Sequence, residues 1–137
     1  MITDRWIFTL LQNPALAGLA SLASRAGMAL IFLMAGWGKL TGYAQTAHYM
    51  QAMGVSPSLL PLTLVIELGG GLALLLGLWT RSIAALLAGF CLITALIFHH
   101  QLSDPTTFIM FMKNLAMAGG LLQLVIHGAG ALALDRR

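Results

Sequence analysis

Apolar and polar positions along the chain sort into four long apolar stretches separated by short polar links, at 22–40, 59–79, 82–100 and 107–127. Each is close to the ~20 residues a helix needs to cross a hydrocarbon core about 30 Å thick. The first is apolar apart from Arg25 near one end and Lys39 at the other. The second is opened by Pro57 and Pro61 and holds one carboxylate, Glu67, while the fourth carries Lys113 one to two turns inside. Tight links at Thr80 and Arg81, and at Asp104 and Pro105, force antiparallel neighbours. The pattern predicts an all-α, integral membrane four-helix bundle, up-down-up-down, as a single transmembrane domain over 1–137. Ahead of it, residues 1–12 hold only a short apolar run before Asn13 and Pro14, without the apolar core and small-residue site of a signal peptide. They read as a short interfacial helix with Trp6 and Phe8 at headgroup depth.

Composition sharpens this. Apolar residues make up 59% of the chain and charged residues 8%, against about 25% charged in an average soluble domain. Too few ionic groups remain to cover a water-soluble surface, so the lipid bilayer itself is the first partner. The net charge of +3 comes from Lys and Arg scattered singly, with no basic run, which argues against nucleic acid. Arg5, Arg25, Arg81, Arg136 and Arg137 fall on one side of the predicted bundle, and Lys39 and Lys113 on the other. The positive-inside rule then predicts cytoplasmic N- and C-termini, with the loop 41–58 and the His99 to Asp104 turn facing outward. The single cysteine, Cys91, rules out an intramolecular disulfide or a Cys-x-x-Cys redox pair and reads as a small buried residue.

Helical spacing predicts which residues face inward. Arg25, Ala29, Phe32, Gly36 and Lys39 share a face of the first helix, and Thr63, Glu67, Gly70, Leu74 and Gly77 a face of the second. For the third the same spacing selects Arg81, Ala85, Ala88, Leu92, Ala95 and His99, and for the fourth Lys113, Ala116, Gly120, Gln123 and His127. Stripes of small and polar residues turn toward neighbouring helices in a bilayer. Gly69, Gly70 and Gly71 lie inside an apolar helix and therefore mark close helix contact, not a phosphate loop.

Glu67 sits roughly 12 Å along its helix at 1.5 Å per residue, near mid-membrane. An unpaired carboxylate there costs at least about 2.5 kcal/mol, so it is neutral or paired with a cation. Lys39, Lys113, Asn114 and His99 lie at similar depth on the other helices. Two readings follow: a Glu67–lysine staple that fixes helix register, or a polar pocket for a small head group or a proton path. Arg25 and Arg81 read as structural polar groups at the opposite end. His99 and His100 point roughly 100° apart on a helix and, even with Asp104, make a poor metal site, so no metal is predicted. Tyr43, His48, Tyr49 and Met50 read as an interfacial cluster or a lid. No paired haem ligands occur at matching depth.

These residues also carry a resemblance. Residues 25–40, RAGMALIFLMAGWGKL, resemble the opening signature of the DoxX family of small four-helix inner-membrane proteins. ELGGG at 67–71 followed by LGLWTR at 76–81 is similar to its second signature. FHH at 98–100, FMKN at 111–114 and the ending GAGALALDRR are similar to its enterobacterial YphA-like branch. The resemblance implies a bacterial inner-membrane protein associated with redox chemistry: a subunit with a redox partner protein and a bound quinone or similar small amphipathic ligand. The small-residue helix surfaces, for their part, allow a homo-oligomer. Lys39, Glu67, His99, Lys113 and Asn114 would line that ligand's pocket. The alternative is a non-catalytic scaffold or a small-solute or lipid carrier.

Overall fold

A computed structural model describes residues 5–135. Met1–Asp4, Arg136 and Arg137 lie outside the described residues, and with them part of the predicted interfacial segment and two arginines of the charge count. A short helix α1 (Arg5–Leu11) keeps Trp6 and Phe8 exposed. Asn13 then caps α2 (Pro14–Thr41), accepting from the Ala15 and Leu16 N–H groups, with Pro14 in the first turn where its missing N–H costs nothing. The helix therefore starts well before the predicted residue 22. At 28 residues it is ~42 Å long, so its first turns stand beyond a ~30 Å core.

The predicted outward loop contains a helix, α3 (Tyr43–Ala52), capped by Gly42 against α2. Its low apolar content concealed it from a search for spans. The second span is not one regular helix. A 3₁₀ turn (Pro57–Leu59) leads into α4 (Leu60–Leu64), a π-helical turn (Val65–Gly69), and α5 (Gly70–Leu76). Gly77 closes α5 at φ +70°, with the Leu78 N–H reaching back to Ala73 O, and α6 (Thr80–Phe98) follows at once. α7 (Pro105–His127) is capped by Asp104, whose carboxylate accepts from Thr107 N–H at 2.7 Å.

Among the described residues four segments are long and apolar enough to cross a membrane: α2, Pro57–Leu76, α6 and α7. They run alternately up and down, α2 packing on the second span and α6 on α7. The two pairs meet mainly where α5 touches α6, at the Arg25 end. Ala29, Phe32, Leu74, Leu87, Cys91, Ala118 and Leu121 fill the core between them.

The inward faces predicted for the first two spans are the buried ones: Arg25, Ala29, Phe32 and Gly36 on α2, and Glu67, Gly70, Leu74 and Gly77 on the second. Gly70 faces Leu87 and Gly71 faces Leu33 at close range, while Gly69 touches nothing beyond its own helix. The other two faces are rotated. α6 buries Ala88 and Ala95 as expected, but its buried stripe is otherwise Thr80, Ala84, Leu87 and Cys91, leaving the predicted Arg81, Ala85 and Leu92 exposed. α7 buries Asn114, Ala118, Leu121 and Leu124, so Lys113, Ala116, Gln123 and His127 turn outward. The difference is one position, roughly 100° of rotation. Alanine suits both lipid and helix interfaces, so it could not fix the angle, and a lysine can place its stem along lipid where an asparagine amide cannot.

Candidate functional site

At the Arg25 end the structure is tied by backbone carbonyls. Arg25, with no exposed surface, donates from Nη1 to Ala129 O and from Nη2 to Leu132 O at 2.6 Å and Leu75 O at 3.5 Å. It thereby pins residues 128–135 across the foot of the bundle. Leu134 N–H and Asp135 N–H donate to Leu76 O and Gly77 O, and the Asp135 carboxylate accepts from Trp79 and Thr80 N–H at 2.6 and 2.8 Å. The Thr80 N–H, with further help from Trp79 and the Arg25 charge, holds that carboxyl below the usual aspartate range. Arg81 donates from Nη1 to Val125 O and Ile126 O, both at 2.7 Å, satisfying carbonyls at the end of α7. A cavity of about 470 Å³ lies here, bordered by Trp79, Arg81, His127 and Asp135.

The opposite end is chemically different. Lys39, one turn from the end of α2, donates to Glu67 Oε1 at 2.8 Å. Glu67 is carried on the π turn, a feature that often sits at functional positions. Gly36 makes the pairing possible. A Cβ there would stand 2.8 Å from Leu68 and 3.2 Å from Glu67 Cβ, so only glycine lets α2 approach this closely. Glu67 is 4% exposed, and its second oxygen, Oε2, has no hydrogen-bond partner among the described residues.

Glu67 lines a cavity of about 480 Å³ between the two helix pairs. All five sequence-predicted residues line it: Lys39, Glu67, His99, Lys113 and Asn114. They are not equally placed. Asn114 is buried, its Nδ2 donating to Met110 O at 3.0 Å. Lys113 lies exposed at the rim, its Nζ 3.3 Å from Met110 Sδ, and among the described residues Glu67 makes its ion pair with Lys39 alone. His99 is half-buried just beyond α6; desolvation and the Lys113 charge hold it below the usual histidine range.

Several lining residues were not predicted to be functional. Cys91 and Thr94 come from α6, and Thr46 and Thr63 from α3 and α4. Thr94 had no sequence signal beyond its hydroxyl within an apolar run, and Cys91 had only its burial. Of the four possible lid residues, Tyr49 and Met50 line the cavity, while Tyr43 and His48 do not. Tyr49 stacks on Phe98 with ring centroids 5.6 Å apart, tying α3 to the end of α6. Met50 packs with Leu60 and Leu64, so α3 closes the top of the cavity. Among the described residues no group of three His, Cys, Asp or Glu side chains could hold a metal ion.

The comparisons with known proteins agree with this architecture. The DoxX family matches residues 20–100, which include both halves of the Lys39–Glu67 pair. The chain is 50% identical over 115 residues to inner membrane protein YqjF of Escherichia coli strain K12, covering 84% of this chain and 88% of that protein. It is 36% identical over 123 residues to inner membrane protein YphA of the same strain, covering 85% and 88% respectively. No solved structure matches the chain. With four apolar helices, inner-membrane relatives and a family match over more than half its length, the chain is a multi-pass inner-membrane protein belonging to the DoxX family.

Proposed function

We propose that the protein holds a small amphipathic, quinone-like molecule in the cavity beside Glu67 and serves as a redox-associated membrane subunit. One observation carries the reading: Glu67, a buried carboxylate with one oxygen lacking a partner among the described residues, lines a cavity whose other walls are largely apolar. Its ~480 Å³ falls within the range of about 300–1,000 Å³ usual for small-molecule pockets, apolar overall with a few convergent polar groups. Lys39, Glu67 and Asn114 would bind the polar head, with His99 and Lys113 nearer the mouth. Both termini would lie in the cytoplasm, placing the cavity in the outward half of the membrane; reporter fusions to the C-terminus test that orientation.

The test of the ligand is direct. Protein extracted with its native lipid belt is expected to release a quinone or related amphiphile, identified by mass spectrometry, and Glu67→Gln protein to release much less. Equal recovery from both proteins, or none from either, would remove the reading. A second reading, a scaffold or solute or lipid carrier in which Lys39 and Glu67 serve as a staple, draws on their 2.8 Å ion pair between α2 and the second span. It predicts that Glu67→Gln lowers thermal stability while leaving the co-purified molecules unchanged.

A further inference from the structure

The distribution of hydrogen-bond protons in the cavity specifies what it would accept, an inference that rests on the pocket reading above. Thr94 donates to Phe90 O and Cys91 O at 2.8 and 3.0 Å, Thr63 to Leu59 O at 3.1 Å, and Thr46 to Gly42 O at 3.0 Å. Each hydroxyl proton is thus spent on its own helix, leaving only lone pairs for a ligand. One Asn114 amide proton is spent on Met110 O. Glu67 Oε2, enclosed beside the cavity, is an acceptor with no donor among the described residues. Beside it, Lys39 Nζ uses one proton on Oε1 and has others to give. A group that donates to Oε2 and accepts from Lys39 at the same time satisfies both, and a hydroxyl does this with a single atom. A ketone or an ether oxygen answers Lys39 and leaves Oε2 bare, which is costly for a buried charged acceptor.

The route into the cavity points to the bilayer. Leu62 on the second span and Ile93 on α6 both line it, yet are 56% and 58% exposed, so they form the rim of a side opening. α4 and the π turn pack on α2 and make no substantial contact with α6, in contrast to α5. Above, α3 closes the cavity through Tyr49 and Met50.

We propose that the cavity selects a bilayer-dissolved amphiphile bearing a hydroxyl donor, of the phenol or hydroquinone class, over its ketone, quinone or ether counterpart. The molecule passes sideways between the second and third spans, and its hydroxyl bridges Glu67 Oε2 and Lys39 Nζ.

The experiment compares para-nonylphenol with its methyl ether, binding each to purified full-length protein in nanodiscs and subtracting partition into empty discs. The phenol is expected to bind about tenfold more tightly, the equivalent of one satisfied hydrogen bond. Glu67→Gln is diagnostic because Lys39 would keep the amide oxygen, turning the NH₂ to where Oε2 stands. The preference should then invert toward the ether. Equal binding of the two probes to the unsubstituted protein overturns the proposal and leaves the pocket reading intact. Binding of neither probe, with no co-purified amphiphile, overturns the pocket reading as well. If Glu67→Gln does not fold, the phenol-to-ether ratio of the unsubstituted protein decides alone. For the route, Leu62→Trp combined with Ile93→Trp should slow association about fivefold with the ratio unchanged, and an unaltered rate rejects the lateral opening.

Discussion

Arg25→Met tests the most buried polar anchor of the fold. The guanidinium is wholly enclosed, and its two strong bonds, to Ala129 O and Leu132 O, hold the segment 128–135 against the foot of the bundle. A hydrogen bond involving a charged group contributes about 1.5–3 kcal/mol, so two of them amount to ~3–6 kcal/mol. Two effects reduce this. Removing a buried cation also removes its desolvation cost, enlarged here because Nε has no partner among the described residues. The freed carbonyls are also served otherwise: Ala129 O keeps the Ser21 hydroxyl as a donor, and water can reach Leu132 O because Leu132 is exposed. A net loss of roughly 2 kcal/mol remains. For a chain of this length that corresponds to about 6–10 °C in the melting temperature of detergent-solubilised protein.

Amide hydrogen exchange provides the specific signature. Leu134 and Asp135 N–H, bonded to Leu76 O and Gly77 O, should lose protection before the core of α6 and α7 does. Arg25→Lys, a single point donor in place of a fork, should recover only part of both effects. An unchanged melting temperature, or a large drop with Leu134 and Asp135 still protected, would show that Arg25 does not hold the tail.

Gly77→Ala places a side chain at φ +70° and drives its Cβ against Ala133, so a loss of at least about 1–2 kcal/mol in thermal unfolding is expected. Gly36→Leu pushes Leu68 and Glu67 away from α2 and should cost about 2–3 kcal/mol while also separating Lys39 from Glu67; Gly36→Ala should lose less, in the same direction. The Asp135 carboxyl is depressed in the folded protein, so its contribution is complete above its unfolded value and disappears as pH falls through the folded one. Protection of the Trp79 and Thr80 amides, taken relative to their intrinsic exchange rates, should therefore fall on acidification below about pH 4, and in Asp135→Asn it should stay flat over the same range.

The fold was legible because hydrophobic length sets depth: four apolar stretches and short links leave few ways to cross a bilayer. Rotation about each helix axis is a different quantity, and only residues with one acceptable environment report it. Arg25 and Glu67 did so for the first two spans, since neither a guanidinium nor a carboxylate can face hydrocarbon cheaply. On α6 and α7 the markers chosen were largely alanines, which fit either environment, and Lys113, which reaches the rim by its stem; the α7 face was read one position away, and the α6 face likewise except at Ala88 and Ala95.

The candidate pocket follows the same division. That Glu67 must be neutral or find a cation followed from its depth, and all five residues chosen by depth do line one cavity. Which lysine it finds depends on the π turn and on the close approach at Gly36, neither of which spacing alone encodes. The clamp on the tail left still less trace, because Arg25 grips backbone carbonyls, and a carbonyl has no residue type. Membrane sequences therefore disclose their buried charges more readily than the partners of those charges. Here the partners make the difference between the two ends: Arg25 has its donors largely spent on carbonyls, whereas Glu67 lines a cavity with one oxygen unpartnered among the described residues, which is why the proposed ligand is placed at the second end.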